Sequence, residues 1–232
     1  MRGAIDQITG ITVTLDSHAS VGIERTTFWS TGAGEPVEPF TQITAADLRA
    51  GRFVPKDAAR TAEVLAYLQA LERGGRYRLL VWPVHCVLGT WGHNIHAGVA
   101  AELARWENEH QRSVSRVLKG LNPMTEQYSA VQAEVPIEHD STTQLNRALI
   151  ASARPDGDVL LVAGEAASHC VAATVADLLR EFTADERRRV IILRDCMSPV
   201  PGFETQAEKF FADSRTQGVR VMTTAEARAA LS

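Results

Sequence analysis

Short, wholly apolar runs alternate with amphipathic stretches along most of this 232-residue chain, and that alternation constrains its fold more than any other feature. Ile11 to Leu15, Leu79 to Trp82, Val114 to Leu118, Val159 to Val162, Val190 to Leu193 and Val219 to Met222 read as strands, the second stopped by Pro83. Between them apolar residues recur at helical spacing. Val64, Leu65, Leu68 and Leu71 form one such stripe, closed by Gly74-Gly75, and Val99, Leu103 and Trp106 mark the next. Leu145, Leu149 and Ile150 follow Ser141 and Thr142 as N-caps, and Val171 to Phe182 lie on a helix that begins near Cys170. Phe203, Ala207, Phe210 and Phe211 make a further stripe ended by Gly218, and Thr223-x-x-Glu226 opens a last helix as a capping box. Strands that are apolar throughout are buried on both faces, and helices between them make a parallel sheet the economical arrangement. The expectation is an α/β fold: a doubly wound, mostly parallel sheet with helices on both faces, in three α/β/α layers, as a single domain over residues 1–232. Residues 19–57 break the rhythm and are expected to form a long loop with one short helix at Thr44 to Arg49.

Composition removes several function classes. The net charge is −4 and no basic stripe appears, which argues against a nucleic-acid partner. No apolar run approaches the roughly 20 residues that span a bilayer, and the opening MRGAIDQITG lacks the apolar core of a signal peptide. Cys86, Cys170 and Cys196 are an odd, sparse set that reads as reduced thiols in a cytoplasmic protein.

In a doubly wound sheet the ligand sits beyond the carboxyl ends of the strands, so the polar residues there carry the chemistry. Cys170 follows a strand and a Gly-Glu-Ala-Ala-Ser-His bend at the start of a helix. A helix N-terminus stabilises a thiolate, so Cys170 is a candidate nucleophile; the alternative is a buried, inert thiol. Cys86 and Cys196 read as structural. Lys119 ends a strand, where its ammonium either assists such a thiolate or snorkels to the surface. Asp16-x-His18 ends one strand and His85 another, and two imidazoles with a carboxylate suit Zn²⁺, Fe²⁺ or Mn²⁺ with open positions. His93, His96, His110 and His139 read as surface or local hydrogen-bonding residues, with His93 and His96 nearest the pocket-forming loop.

The order Leu15-Asp16-Ser17-His18, Trp82-Pro83-Val84-His85-Cys86, Val117-Leu118-Lys119-Gly120 and Gly164-Glu165-Ala166-Ala167-Ser168-His169-Cys170-Val171 resembles the isochorismatase-like cysteine hydrolases, nearest their nicotinamidase branch. Tyr128-Ser129 and Asp195 add to the likeness, which covers nearly the whole chain. The resemblance implies that Cys170 attacks an amide carbonyl to give a thioester, with Lys119 as the assisting cation. It implies a divalent metal, Zn²⁺ with Fe²⁺ or Mn²⁺ as alternatives, on Asp16, His18 and His85, and no organic cofactor. It also implies a cis peptide at Glu165-Ala166 that turns the N–H groups of Ala166 and Cys170 toward the oxyanion. The substrate class is a small amide; an isochorismatase-type hydrolase, or an impaired homologue serving as a binding subunit, are the other readings. The family opens with a central strand ending in an Asp-x-Gln-like motif whose Asp is the general base. Asp6-Gln7 lies only ten residues before Asp16, too near to be that strand. Relative to the family the chain is therefore expected to be truncated at its N-terminus and to lack that strand. It is further expected to oligomerise with copies of itself and to have Asp195 as the first substitute carboxylate.

Overall fold

The computed structural model describes residues 5–231. The chain divides into two compact units, one running through Gln127 with Glu134–Thr143, the other holding Tyr128–Ala133 and the chain from Gln144 on.

The first unit contains strand β1 (Thr12–Asp16), β2 (Trp29–Thr31), β3 (Gln42–Ile43), helix α1 (Ala45–Arg49), β4 (Phe53–Pro55), α2 (Thr61–Gly74), β5 (Leu79–Leu80), α3 (Ala97–His110) and β6 (Ser115–Lys119). β1 and β6 pair in parallel over all five residues, from Thr12 opposite Ser115 to Asp16 opposite Lys119. β2 pairs with β4 and β3 with β5, both antiparallel. Helix α2 ends as its sequence demands: Gly75 takes φ 68°, a left-handed position that favours glycine, and donates its N–H to the Glu72 carbonyl.

Residues 19–57 depart from the expected loop. They carry β2, β3, α1 and β4, and they supply Ile23, Phe28, Trp29, Val37, Ile43, Ala45 and Leu48 to an apolar core cluster of the unit. The buried stripe of α2, Val64, Leu68 and Leu71, packs in the same cluster. Short strands of two or three residues leave too few repeats for periodicity to register, so hydrophobic burial here rests on irregular spacing. The expected helix at Thr44 to Arg49 is present, with Thr44 and Asp47 forming a reciprocal capping box.

The second unit holds α4 (Arg147–Ala153), β7 (Leu160–Val162), α5 (Cys170–Glu181), α6 (Ala184–Arg188), β8 (Val190–Leu193), α7 (Glu204–Thr216), β9 (Arg220–Met222) and α8 (Thr224–Leu231). β7, β8 and β9 form a parallel ladder with β8 in the middle. Right-handed crossovers through helices are the usual way to join such strands. Val190, Ile191 and Ile192 of the middle strand are buried, as an all-apolar strand requires. Burial on both faces does not extend to every strand: Leu118 of β6 and Leu161 of β7 are more than two-fifths exposed. The cap of α4 also differs from expectation. Asn146, whose side chain accepts from the Leu149 N–H, begins the helix, while Ser141–Thr143 form a 3-10 turn. Thr223 and Glu226 cap α8 as read from the sequence. Among the described residues no helix is long and apolar enough to cross a membrane.

Candidate metal centre and nucleophile turn

The parallel register of β1 and β6 sets two polar strand ends side by side. Lys119 is buried; its ammonium donates to Asp16 and to the Gln127 carbonyl at 2.9 Å. The chain continues from β1 into Ser17, whose N–H reaches the Lys119 carbonyl, and into His18, whose N–H reaches the Cys86 carbonyl at 3.1 Å. The Leu88 N–H returns to the His18 carbonyl, so the loop bearing His85 and Cys86 is fastened to the end of β1. Gly120 makes room for the imidazole. It takes φ 76°, and a Cβ there would come within 2.4 Å of His18 Cε1.

Three side chains converge on the Asp16 carboxylate. Besides the Lys119 ammonium, His18 Nε2 stands 3.7 Å from Oδ1 and His85 Nε2 3.9 Å from Oδ2. Metal–ligand bonds of about 2.0–2.3 Å in a tetrahedral shell place neighbouring donors roughly 3.3–3.8 Å apart, close to these separations. His18 Nδ1 lies 3.2 Å from the buried Glu24 carboxylate, which can hold the ring proton on that side while Nε2 faces Asp16. His85 has two competing partners at Nδ1, the Pro83 carbonyl at 2.8 Å and Arg25 Nη1 at 2.6 Å. A guanidinium only donates. Accepting from Arg25 puts the His85 proton on Nε2, whereas donating to Pro83 frees Nε2 as a ligand. The tautomer of His85 thus decides whether the set can coordinate. A divalent ion on Nε2 selects the second arrangement, and the donor set of one carboxylate and two oriented imidazoles fits such an ion.

The electrostatics treat the two imidazoles differently: His85 is held neutral, whereas His18 is drawn toward its protonated form, whose extra proton a bound metal would displace. Burial opposes the Asp16 charge, but the Lys119 ammonium and His18 hold the carboxyl well below its usual range. Burial opposes a charge on His18 too, yet its hydrogen bonds with Asp16 and Glu24 raise its pKa. Burial lowers His85, keeping it neutral and able to bind a metal.

Sequence reasoning passed over the layer behind this cluster. Glu24, Arg25, Glu126 and Gln127 are all buried. Arg25 Nε donates to Glu24 Oε1 at 2.9 Å, and Gln127 bonds the Gly120 N–H through its side chain and Lys119 through its carbonyl. Burial, then the neighbouring Glu24 carboxylate, push Glu126 up to about 8. Adjacent opposite charges at Glu24-Arg25, set between Ile23 and Phe28-Trp29, were the available signal. His96 caps α3, the local role expected of it, whereas His93 Nε2 reaches the Ser17 hydroxyl at 2.8 Å, beside the cluster, and His110 reaches the distant Ile5 carbonyl.

In the second unit Cys170 is the first residue of α5 and is half-buried. The bend before it is closely determined. The Glu165-Ala166 peptide is cis, as expected. The Ala166 carbonyl accepts from the N–H groups of His169 and Val171, and Ala167 N–H donates to the Ser198 carbonyl. The Glu165 carboxylate takes the Ser198 N–H, and Ser168 Oγ takes that of Val200. His169 lies between the rings of Tyr128 and Phe203, with centroids at 5.5 and 4.7 Å, and burial pushes its pKa down to about 4. Asp195 serves its own neighbourhood, its carboxylate accepting from the Thr224 N–H and hydroxyl at the start of α8. The expected substitute carboxylate is therefore occupied as a helix cap.

Parallel strands joined through helices, with polar residues gathered at the strand ends and a cysteine opening a helix, define an α/β fold. Solved structures with this fold include a nicotinamidase pyrazinamidase of Acinetobacter baumanii, 18% identical, with a TM-score of 0.60 over 97% of this chain and 82% of that one. The yeast nicotinamidase Pnc1p is 21% identical, with a TM-score of 0.61 over 96% and 83% of the two chains. The same yeast enzyme bound to the inhibitor nicotinaldehyde gives 0.62 at 20% identity, over 97% and 84%. The fold is the one these nicotinamidases share. No protein-family model matches the chain, and no curated protein matches it by sequence.

Proposed function

We propose that this chain is a cysteine-dependent hydrolase of a small amide, a nicotinamidase-like member of the isochorismatase-like superfamily. The register that sets Asp16 against Lys119, with His18 and His85 gathered on the same carboxylate, carries the reading. The position of Cys170 at the first turn of α5 supports it, because a helix N-terminus favours the thiolate. In this reading the Cys170 sulfur attacks the amide carbonyl carbon, the C–N bond breaks and ammonia leaves with the proton it has gained. Water then cleaves the thioester, returning the thiol and releasing the carboxylic acid. The N–H groups of Ala166 and Cys170 are the donors assigned to the oxyanion. Lys119 assists as a cation whose position is fixed by Asp16 and the Gln127 carbonyl. Asp16, His18 and His85 would hold a divalent ion, Zn²⁺ first with Fe²⁺ or Mn²⁺ as alternatives, which when bound would supply a Lewis acid for a substrate heteroatom. Cytoplasmic location and self-association belong to the same proposal.

The test is ammonia release from a panel of small amides, nicotinamide and pyrazinamide among them, by metal-loaded protein. Turnover of at least one amide that disappears in Cys170→Ala is expected. Folded, metal-loaded protein that releases no ammonia from any of them refutes the reading, as does undiminished turnover by Cys170→Ala.

A further inference from the structure

We infer that the Cys86 thiolate is itself a ligand of the metal centre, joining Asp16 and His85. The inference rests on the metal site of the preceding proposal and adds a sulfur donor to it. One ligand atom each from Asp16, His85 and Cys86 lies within 4.8 Å of the other two, and among the described residues this is the group of three that meets that limit. His18, 3.7 Å from Asp16, remains the further ligand of the proposed site, and Cys86 is added to the set.

The backbone explains how two consecutive residues reach one carboxylate. Successive side chains on an extended chain point to opposite faces. Cys86 instead adopts φ 50°, in the left-handed region that non-glycine residues seldom enter. Its carbonyl is held by the His18 N–H and the loop is closed by Leu88 N–H on the His18 carbonyl, so this turn is fixed against the end of β1. Residues kept in such a conformation by their surroundings concentrate at functional sites. The chemistry is simple: on binding, the thiol releases its proton to solvent and a metal–sulfur bond forms, with no change of oxidation state. A thiolate beside imidazole and carboxylate moves the preference toward Zn²⁺ and away from Mn²⁺.

The experiment loads the whole chain with Co²⁺ alone and, separately, with Zn²⁺. Co²⁺ bound one per chain with a near-ultraviolet sulfur-to-cobalt charge-transfer band is expected. Cys86→Ser should lose the band from whatever Co²⁺ it retains, and Cys196→Ser should keep both the metal and the band. X-ray absorption of the Zn²⁺-loaded wild-type chain should show a sulfur neighbour at about 2.3 Å, a measurement that needs no variant. Stoichiometric metal with only nitrogen and oxygen neighbours overturns the inference and leaves the metal site standing. A band that survives Cys86→Ser overturns it as well. Folded wild-type chain that binds neither ion overturns the metal reading and the inference together.

Discussion

Gly120→Ala puts the candidate metal centre under a defined stress. The new Cβ would lie 2.4 Å from His18 Cε1 and 2.8 Å from Nδ1, contacts no real side chain tolerates, and the backbone there sits at φ 76°. Holding an alanine in the left-handed region costs roughly 1–2 kcal/mol. His18 is buried, so its ring must shift, and the bond from Nδ1 to Glu24 at 3.2 Å is the first lost. Glu24 Oε1 keeps its hydrogen bond from Arg25 Nε, so the loss is one buried hydrogen bond to a charged group, about 1–3 kcal/mol. The sum is a loss of about 2–5 kcal/mol from the first unit. All four tryptophans, at 29, 82, 91 and 106, belong to that unit, so urea unfolding followed by tryptophan fluorescence reports it selectively. Bound metal measured on the same samples should fall with stability. A loss below about 1 kcal/mol, with metal content unchanged, would mean that His18 has space to move and that Gly120 does not position it.

Other expectations follow from single residues. His169 has a folded pKa of about 4 against an ordinary value of 6.5, so the unfolded chain binds more protons between those values and stability falls as pH drops through that window. At pH 5 the loss is about 2 kcal/mol relative to pH 7.5, and His169→Phe should flatten the slope; an unchanged slope in urea titrations across pH 5–7.5 rules out this residue as its source. Iodoacetamide should modify Cys170 before the other thiols, because burial raises the pKa of Cys86 and of Cys196; equal rates by mass spectrometry would remove the nucleophile assignment. Asp195→Ala should lower the melting temperature slightly through the lost cap of α8 and leave amide turnover intact, whereas a collapse of turnover would restore Asp195 to catalysis.

Much of this molecule is legible in one dimension, and for a local reason. The stripe of α2 and its Gly75 stop, the capping box at Thr223 and Glu226, and the all-apolar β8 each follow from residues a few positions apart. The motif residues Asp16, His18, His85, Lys119 and Cys170 also stand at or just beyond strand and helix ends, as the alternation of elements implies. What the sequence hides depends on long-range closure. Residues 19–57 look irregular because β2, β3 and β4 are too short to show a period, and only packing against α2 reveals them as core. Asp16 and Lys119 lie far apart in the chain, and the parallel register of β1 and β6 makes them partners. Glu24 and Arg25 become a buried support for His18 and His85 because folding withdraws them from water as an ion pair, into a site where either charge alone could not be sustained. Cys86 reads as an inert thiol until its left-handed backbone turns it to the side His85 occupies. Propensity and capping act between near neighbours and are written in the sequence, whereas register, burial and ligand geometry are collective properties of the folded chain.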